Sequence, residues 1–470
     1  MIPLLLALAP QPPRIELKSC AVPTLAVAAR CGQFSVWENP HTRAGRRIQL
    51  NLVVLPARGP ERLEDPVFYF EGGPGGSATN AIEGVYPVLA AAHQHRDLVF
   101  VDLRGTGESH ALRCPEAGGA SVQHYFDEMF PEAYVKACLA AQDADVRWYT
   151  NAFGIDDVEQ VREALGYRQI NLFGTSGGTR SIQVYLKRHP ASVRSAILIG
   201  VEPLDAEQPL PAPKALEAGL QAMFQACAAE PACQAAYPEL PQDWARSLRR
   251  FADGPVEATV TEPGSSRRER VRFTRGVYVD GVRHILYNLR RARQLPGVIH
   301  LAAQGNFDAY AQRELEQSLG FDQALSYGAF LTVTCAEDLR FVSEADIHRA
   351  TDGTALGDYR VRRQLAACKL WPRGEGVDAG FQELARVRVP VLAISGAVDV
   401  VTPPAEGERV ARALPLARHL VFPNQSHAPA NLACLSRLMT DFLTAASTTG
   451  LGTGCIAETR RPAFDTSFGR

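Results

Sequence analysis

The chain has 470 residues, with 49 Lys and Arg against 51 Asp and Glu, a formal net charge of −2, and 46% hydrophobic against 21% charged residues. That balance gives no reason to expect nucleic acid or an anionic membrane as partner. The length is enough to bury roughly three quarters of the extended surface, so the core needs no covalent staples.

The ten cysteines therefore speak of compartment, because cytosolic proteins rarely pair them. They fall as neighbours: Cys20 with Cys31, Cys114 with Cys138, Cys227 with Cys233, Cys335 with Cys368, Cys434 with Cys455. Connectivity is not fixed by sequence. Nearest-neighbour pairing is the working expectation, best placed for Cys227 and Cys233 around Glu230-Pro231. No C-x-x-C pair or histidine at finger spacing points to a metal, and none is expected.

Met1 to Pro10 carries a short apolar run ending in Ala7-Leu8-Ala9. It is similar to the apolar segment and small-residue cleavage site of an export signal, without the basic flank, and is too short to span a bilayer. Residues 1–19 are expected to be an export leader or a disordered N-terminus, and the protein to be periplasmic or secreted with no membrane insertion.

Residues 48–56 partly alternate and predict an antiparallel strand. Pro66-Val-Phe-Tyr-Phe70 reads as a buried strand breaking into Glu71-Gly72-Gly73-Pro74-Gly75-Gly76-Ser77, where glycines leave backbone N–H groups uncovered, as an oxyanion site requires. Asp97 to Leu103 is a further apolar strand, closed by Arg104-Gly105-Thr106-Gly107-Glu108-Ser109. That loop lacks a full phosphate-binding pattern and is expected to be a rigid turn beside the site. Residues 156–166 predict a helix stopped by Gly166.

Residues 170–173 are an apolar strand, and after Gly178 the period becomes helical, with Ile182, Tyr185 and Leu186 on one face and Pro190 as the stop. Between them Gly174-Thr175-Ser176-Gly177-Gly178 is a G-x-S-x-G, a sharp turn that exposes its serine at the start of a helix. Residues 195–201 add another buried strand. Strands alternating with helices predict a mainly parallel α/β sheet covered on both faces.

From 205 to 377 helical segments dominate, among them 215–229, 282–294 and 308–319. A hairpin is expected around Glu262-Pro263-Gly264, with Arg267, Arg268, Arg270, Arg272 and Arg275 on its returning side as a solvated face. This stretch reads as an inserted cap, which divides the core into residues 20–204 and 378–470. The alternation resumes with the strand 389–395, Asp399 in the loop after it, a helix near 405–414, the strand 418–422, and His427 just beyond. A final helix turns Leu432, Leu435, Leu438 and Phe442 inward.

A serine hydroxyl needs a base to become a nucleophile, commonly a histidine held by a carboxylate. The order Ser176, Asp399, His427 is that of the α/β-hydrolases, with both partners in loops at the ligand-binding edge of a parallel sheet.

The ordered set of motifs resembles the proline iminopeptidase and tripeptidyl aminopeptidase family of α/β-hydrolases. It comprises Gly72 to Gly75, the Asp-x-Arg-Gly-x-Gly-x-Ser turn from Asp102 to Ser109, the elbow from Gly174 to Gly178, Asp399 and His427, together with Cys227 to Cys233 and Cys335-Ala-Glu-Asp338. Three departures bear on the substrate: Gly177 where a bulky residue is common, Glu71 in place of a histidine, and Asn424-Gln425-Ser426 before His427.

The resemblance implies an α/β-hydrolase fold, an acyl-enzyme on Ser176, His427 as base oriented by Asp399, the N–H groups of Gly73 and Gly177 as oxyanion hole, and no cofactor. An aminopeptidase must also bind an ammonium group, for which Glu337, Asp338, Glu202 and Glu71 are the candidate carboxylates. The expected substrate is a peptide or small acyl compound. An aminopeptidase removing one or a few residues leads, an ester hydrolase on the same triad is the alternative, and a non-catalytic binding protein of this fold is the third reading. Sequence does not rank the four carboxylates or give the oligomeric state.

Overall fold

A computed structural model describes residues 15–115, 121–427 and 431–467. Residues 1–14 of the expected leader lie outside these. The chain builds one nine-stranded sheet in the order β1-β2-β3-β5-β4-β6-β7-β10-β11, with β8 and β9 as a separate hairpin. The strands are β1 Lys18–Val22, β2 Leu25–Trp37, β3 Arg47–Leu55, β4 Val67–Phe70, β5 Leu98–Val101, β6 Ile170–Thr175, β7 Val193–Ile199, β8 Val256–Thr261, β9 Arg268–Phe273, β10 Val391–Gly396 and β11 Ala417–Phe422. β1, β2 and β3 are antiparallel, and β3 meets β5 antiparallel. From β5 to β11 every pairing is parallel.

The period-two alternation of strand side chains divides the core into two layers. Phe68, Phe70, Leu172, Ala196, Leu198 and Ala393 enter one layer, and Val67, Tyr69, Phe173, Ile197, Leu392 and Ile394 enter the other. Helices close both faces: α1 (Ile82–Leu89) packs with the Leu432–Ala445 helix on one side, and α3 (Asn151–Leu165) with α4 (Gly177–Arg188) on the other. A short α2 (Glu132–Ala140) precedes them.

β7 and β10 are neighbours in the sheet, yet the chain between them contributes no strand to it. It folds instead as a helical region from Ala212–Ala229 to Tyr359–Cys368 around its own apolar core, with the β8–β9 hairpin on it. The hairpin lies where its turn residues placed it, and Arg268, Arg270 and Arg272 are exposed along β9. Arg275 instead opens a helix, Arg275–Leu286, because Thr274 caps it by accepting the Val277 N–H. The single helix expected over 282–294 is broken at Asn288, whose extended backbone and side-chain bond to Arg290 N–H start a separate turn, Leu289–Ala292.

All five neighbouring cysteine pairs are disulfides and none is free. Among the described residues no helix is long and apolar enough to cross a membrane.

Candidate active site

β6 ends at Thr175 and α4 begins at Gly177, leaving Ser176 alone to turn the chain. It does so at φ 52° and ψ −128°, a conformation that costs of order 1–3 kcal/mol and persists only where its surroundings enforce it. The enforcement is visible: the Ser176 N–H bonds to Ile199 O at 2.8 Å. Close packing leaves no room for side chains on the flanking glycines, since a Cβ on Gly174 would lie 2.8 Å from Gly178 O and one on Gly178 would lie 2.2 Å from Phe70 O.

Asp399 and His427 stand in the loops after β10 and β11. His427 Nδ1 lies 2.8 Å from Asp399 Oδ2. The other carboxylate oxygen accepts the N–H groups of Val401 and Thr402 at 2.8 and 3.0 Å. Thr402 Oγ1 donates to Asp399 Oδ2 at 2.9 Å and sits 3.2 Å from His427 Nδ1. Thr402 thus braces both groups, a role that its type and spacing did not announce.

Burial disfavours the imidazolium, but the Asp399 charge and hydrogen bond, with Glu202 adding to them, outweigh it and hold His427 above its ordinary pKa. On the side of the helical region, the Tyr287 ring lies 5.6 Å from the imidazole, and the neighbouring Ser426 donates to Leu286 O at 2.6 Å. Ser176 and His427 both touch the end of β7: the Ser176 N–H bonds Ile199 O, while the His427 ring lies against the next residue, Gly200.

The glycine loop after β4 folds over the same point. A Cβ on Gly72 would be 2.8 Å from Ser176 Cβ, and one on Gly177 would be 3.4 Å from Gly73 N. Gly177 is the first residue of α4, so its N–H has no acceptor within the helix, and the helix's partial positive charge faces the same place. The 102–109 turn braces this loop from behind. Asp102 accepts from Ser77 Oγ, Thr79 N and Oγ1, Asn51 Nδ2 and Glu108 N, while Arg104 is locked to Asp157 in a buried ion pair. The turn is held by this network of hydrogen bonds and the buried ion pair.

The four candidate carboxylates separate. Glu337 is fully buried and accepts the Asn151 N–H and Nδ2 at 2.8 and 2.7 Å. Asp338 accepts from Arg180 Nη2 at 2.6 Å and from Gln208 N–H at 2.9 Å. Glu71 accepts from Tyr69 OH and Gly72 N–H. Glu202 lies 3.2 Å from Arg180 Nε and engages no other cation in an ion pair among the described residues. Burial pushes its carboxyl up to about 7 against the pull of Arg180.

Arg180, one turn after the serine, is the charged centre of this group, facing Glu202, Asp338 and Glu337 together. Its only sequence signal is an arginine just past the glycine motif. Among the described residues no group of three His, Cys, Asp or Glu is arranged to hold a metal ion.

The parallel sheet, its strand order and the serine turn between β6 and α4 define a hydrolase of the α/β fold. The family models agree: residues 65–247 match one described as alpha/beta hydrolase fold, and residues 354–455 match one described as TAP-like protein.

Relatives include the putative hydrolase YuaR of Escherichia coli (strain K12), 28% identical over 34% of this chain and 32% of its own length. Serine protease Hip1 of Mycobacterium tuberculosis (strain ATCC 25618 / H37Rv) is 28% identical over 54% and 51%. Proline iminopeptidase of Neisseria gonorrhoeae is 26% identical over 55% and 79%. The chain thus spans only about a third to a half of the first two relatives. It resembles the proline iminopeptidase and tripeptidyl aminopeptidase group within this fold.

Proposed function

We propose that the chain is an exported serine aminopeptidase that releases one or a few residues from peptide N-termini through an acyl-enzyme on Ser176. The observation that carries the reading is the His427–Asp399 contact of 2.8 Å beside a strained serine that begins a helix. Peptidase names among the relatives support the peptide substrate. Five disulfides support export.

In this reading His427 takes the Ser176 proton as Oγ attacks the scissile carbonyl carbon, and the N–H groups of Gly177 and Gly73 hold the oxyanion. Asp399 fixes the imidazole and stabilises its cationic form. His427 then gives the proton to the departing amine. Water, deprotonated by the same imidazole, adds to the acyl carbon; the C–Oγ bond then breaks, the acyl group leaves as a carboxylic acid, and His427 returns the proton to Ser176 Oγ. Glu202 takes the substrate ammonium, because its carboxylate is the least committed of the four and lies close enough to favour the His427 cation. The helical region, residues 205–377, serves as cap over the peptide.

The test is a panel of unblocked and N-acetylated peptide anilides and short acyl esters, assayed beside Ser176→Ala with fluorophosphonate labelling. Cleavage of unblocked anilides, lost on acetylation and in Ser176→Ala, is expected. Turnover confined to esters makes the protein an ester hydrolase, and absence of labelling makes it a binding protein.

A further inference from the structure

Glu71 occupies the single position between β4 and the glycine loop, and both of its carboxylate oxygens accept hydrogen bonds from the protein. Oε1 accepts the Gly72 N–H at 2.8 Å and Oε2 accepts the Tyr69 hydroxyl at 2.6 Å. The same hydroxyl is 3.0 Å from Thr175 Oγ1, on the residue before Ser176. A chain of polar contacts therefore runs from the end of β6, through Tyr69 and Glu71, to the first N–H of the glycine loop.

The loop is pinned at its other side by Gly76 N–H donating to Gly72 O at 3.0 Å. The C=O and N–H of a trans peptide point in opposite directions. Holding Gly72 O on Gly76 therefore aims the Gly73 N–H away from Gly76, and Gly73 N lies 3.4 Å from the place a Cβ on Gly177 would take. The fit around Glu71 is close: a Cβ on Gly76 would be 2.7 Å from Glu71 Cγ.

We propose that Glu71 is a positioning residue for the oxyanion site: with Tyr69 it ties the glycine loop to the serine turn and fixes the direction of the Gly73 N–H. This rests on Ser176 being the nucleophile. It removes Glu71 from the carboxylates that could bind a substrate ammonium, since both of its oxygens are engaged by the protein.

The experiment compares Glu71→Ala, Glu71→Gln and Tyr69→Phe with the wild type on an unblocked peptide anilide and on p-nitrophenyl acetate, with phenylboronic acid as a tetrahedral probe. Glu71→Ala is expected to lower kcat on both substrates by about 10- to 100-fold, a fraction of the cost of deleting an oxyanion donor outright. KM should change little, while boronate affinity falls in parallel with kcat. Gln keeps an acceptor for Gly72 N–H and should restore most of the loss, and Tyr69→Phe should fall between. Thermal melting identifies a variant that fails to fold; Glu71→Gln and Tyr69→Phe then decide.

Unchanged kcat and boronate affinity in Glu71→Ala or Tyr69→Phe overturns the proposal. So does a rise in KM in Glu71→Gln confined to the unblocked peptide, which would make Glu71 an ammonium anchor. A wild type that fluorophosphonate does not label overturns the nucleophile itself, whereas a labelled wild type indifferent to Glu71 overturns only this role.

Discussion

The backbone of Gly200 runs directly under the His427 imidazole. A Cβ on residue 200 would lie 2.9 Å from Cε1 and 3.2 Å from Nδ1, and 3.3 Å from Thr402 Oγ1. Gly200 also sits at φ +64°, where other residues are strained. The end of β7 is therefore the surface against which the proposed base is seated.

Gly200→Ala is accordingly expected to displace the imidazole from the serine. A displacement near 1 Å at a reacting group costs about 100-fold, so fluorophosphonate labelling and kcat should fall together by that order. The strained backbone should lower stability by only about 1–2 kcal/mol, visible as a small shift in denaturation midpoint. Labelling at the wild-type rate would show that the ring does not depend on this seat.

The pH profile should depend on whether the substrate carries an amine. His427 must be neutral to act as base, and its pKa is raised above the ordinary value, so kcat/KM falls as pH drops through that raised value for every substrate. Glu202, lifted to about 7 by burial, must be ionised to hold an ammonium. The acidic limb for an unblocked peptide should therefore approach a slope of two, and for a neutral ester a slope of one. Only the unblocked peptide should also decline above about pH 8, where its α-amino group loses its proton. Equal acidic slopes would remove Glu202 from substrate binding.

Glu337 joins the helical region to the core by accepting two donors of Asn151, the first residue of α3. Glu337→Ala strands both in a buried place, at roughly 1–3 kcal/mol for each, and urea denaturation should register the loss. Burial lifts the Glu337 carboxyl to about 7, so the folded protein keeps this proton longer than the unfolded chain does. The native state then loses stability as pH rises from about 4.5 toward 7. The alanine variant lacks that dependence, so its deficit should be largest at acid pH and narrow toward neutrality. A deficit independent of pH would contradict the raised value.

The central strands were legible because β4, β5, β6, β7 and β10 are almost wholly buried and each carries a dense apolar stretch, even where a polar residue such as Asn171 or Ser195 interrupts it. β1 and β2 were not. Their residues are largely exposed or half-exposed, with little apolar pattern, and they are held by pairing along β3. The break at Asn288 escaped because a local side-chain bond overrode a helical period.

By itself the sequence determined the fold class and the serine turn. Both are written in local order: where an apolar run stops and where glycine permits a sharp bend. Tertiary structure alone decided which carboxylates are committed. Asn151 reaches Glu337 across 186 positions and Arg180 reaches Asp338 across 158, and a carboxylate's role follows from the donors that distant segments bring to it, which spacing along the chain does not encode.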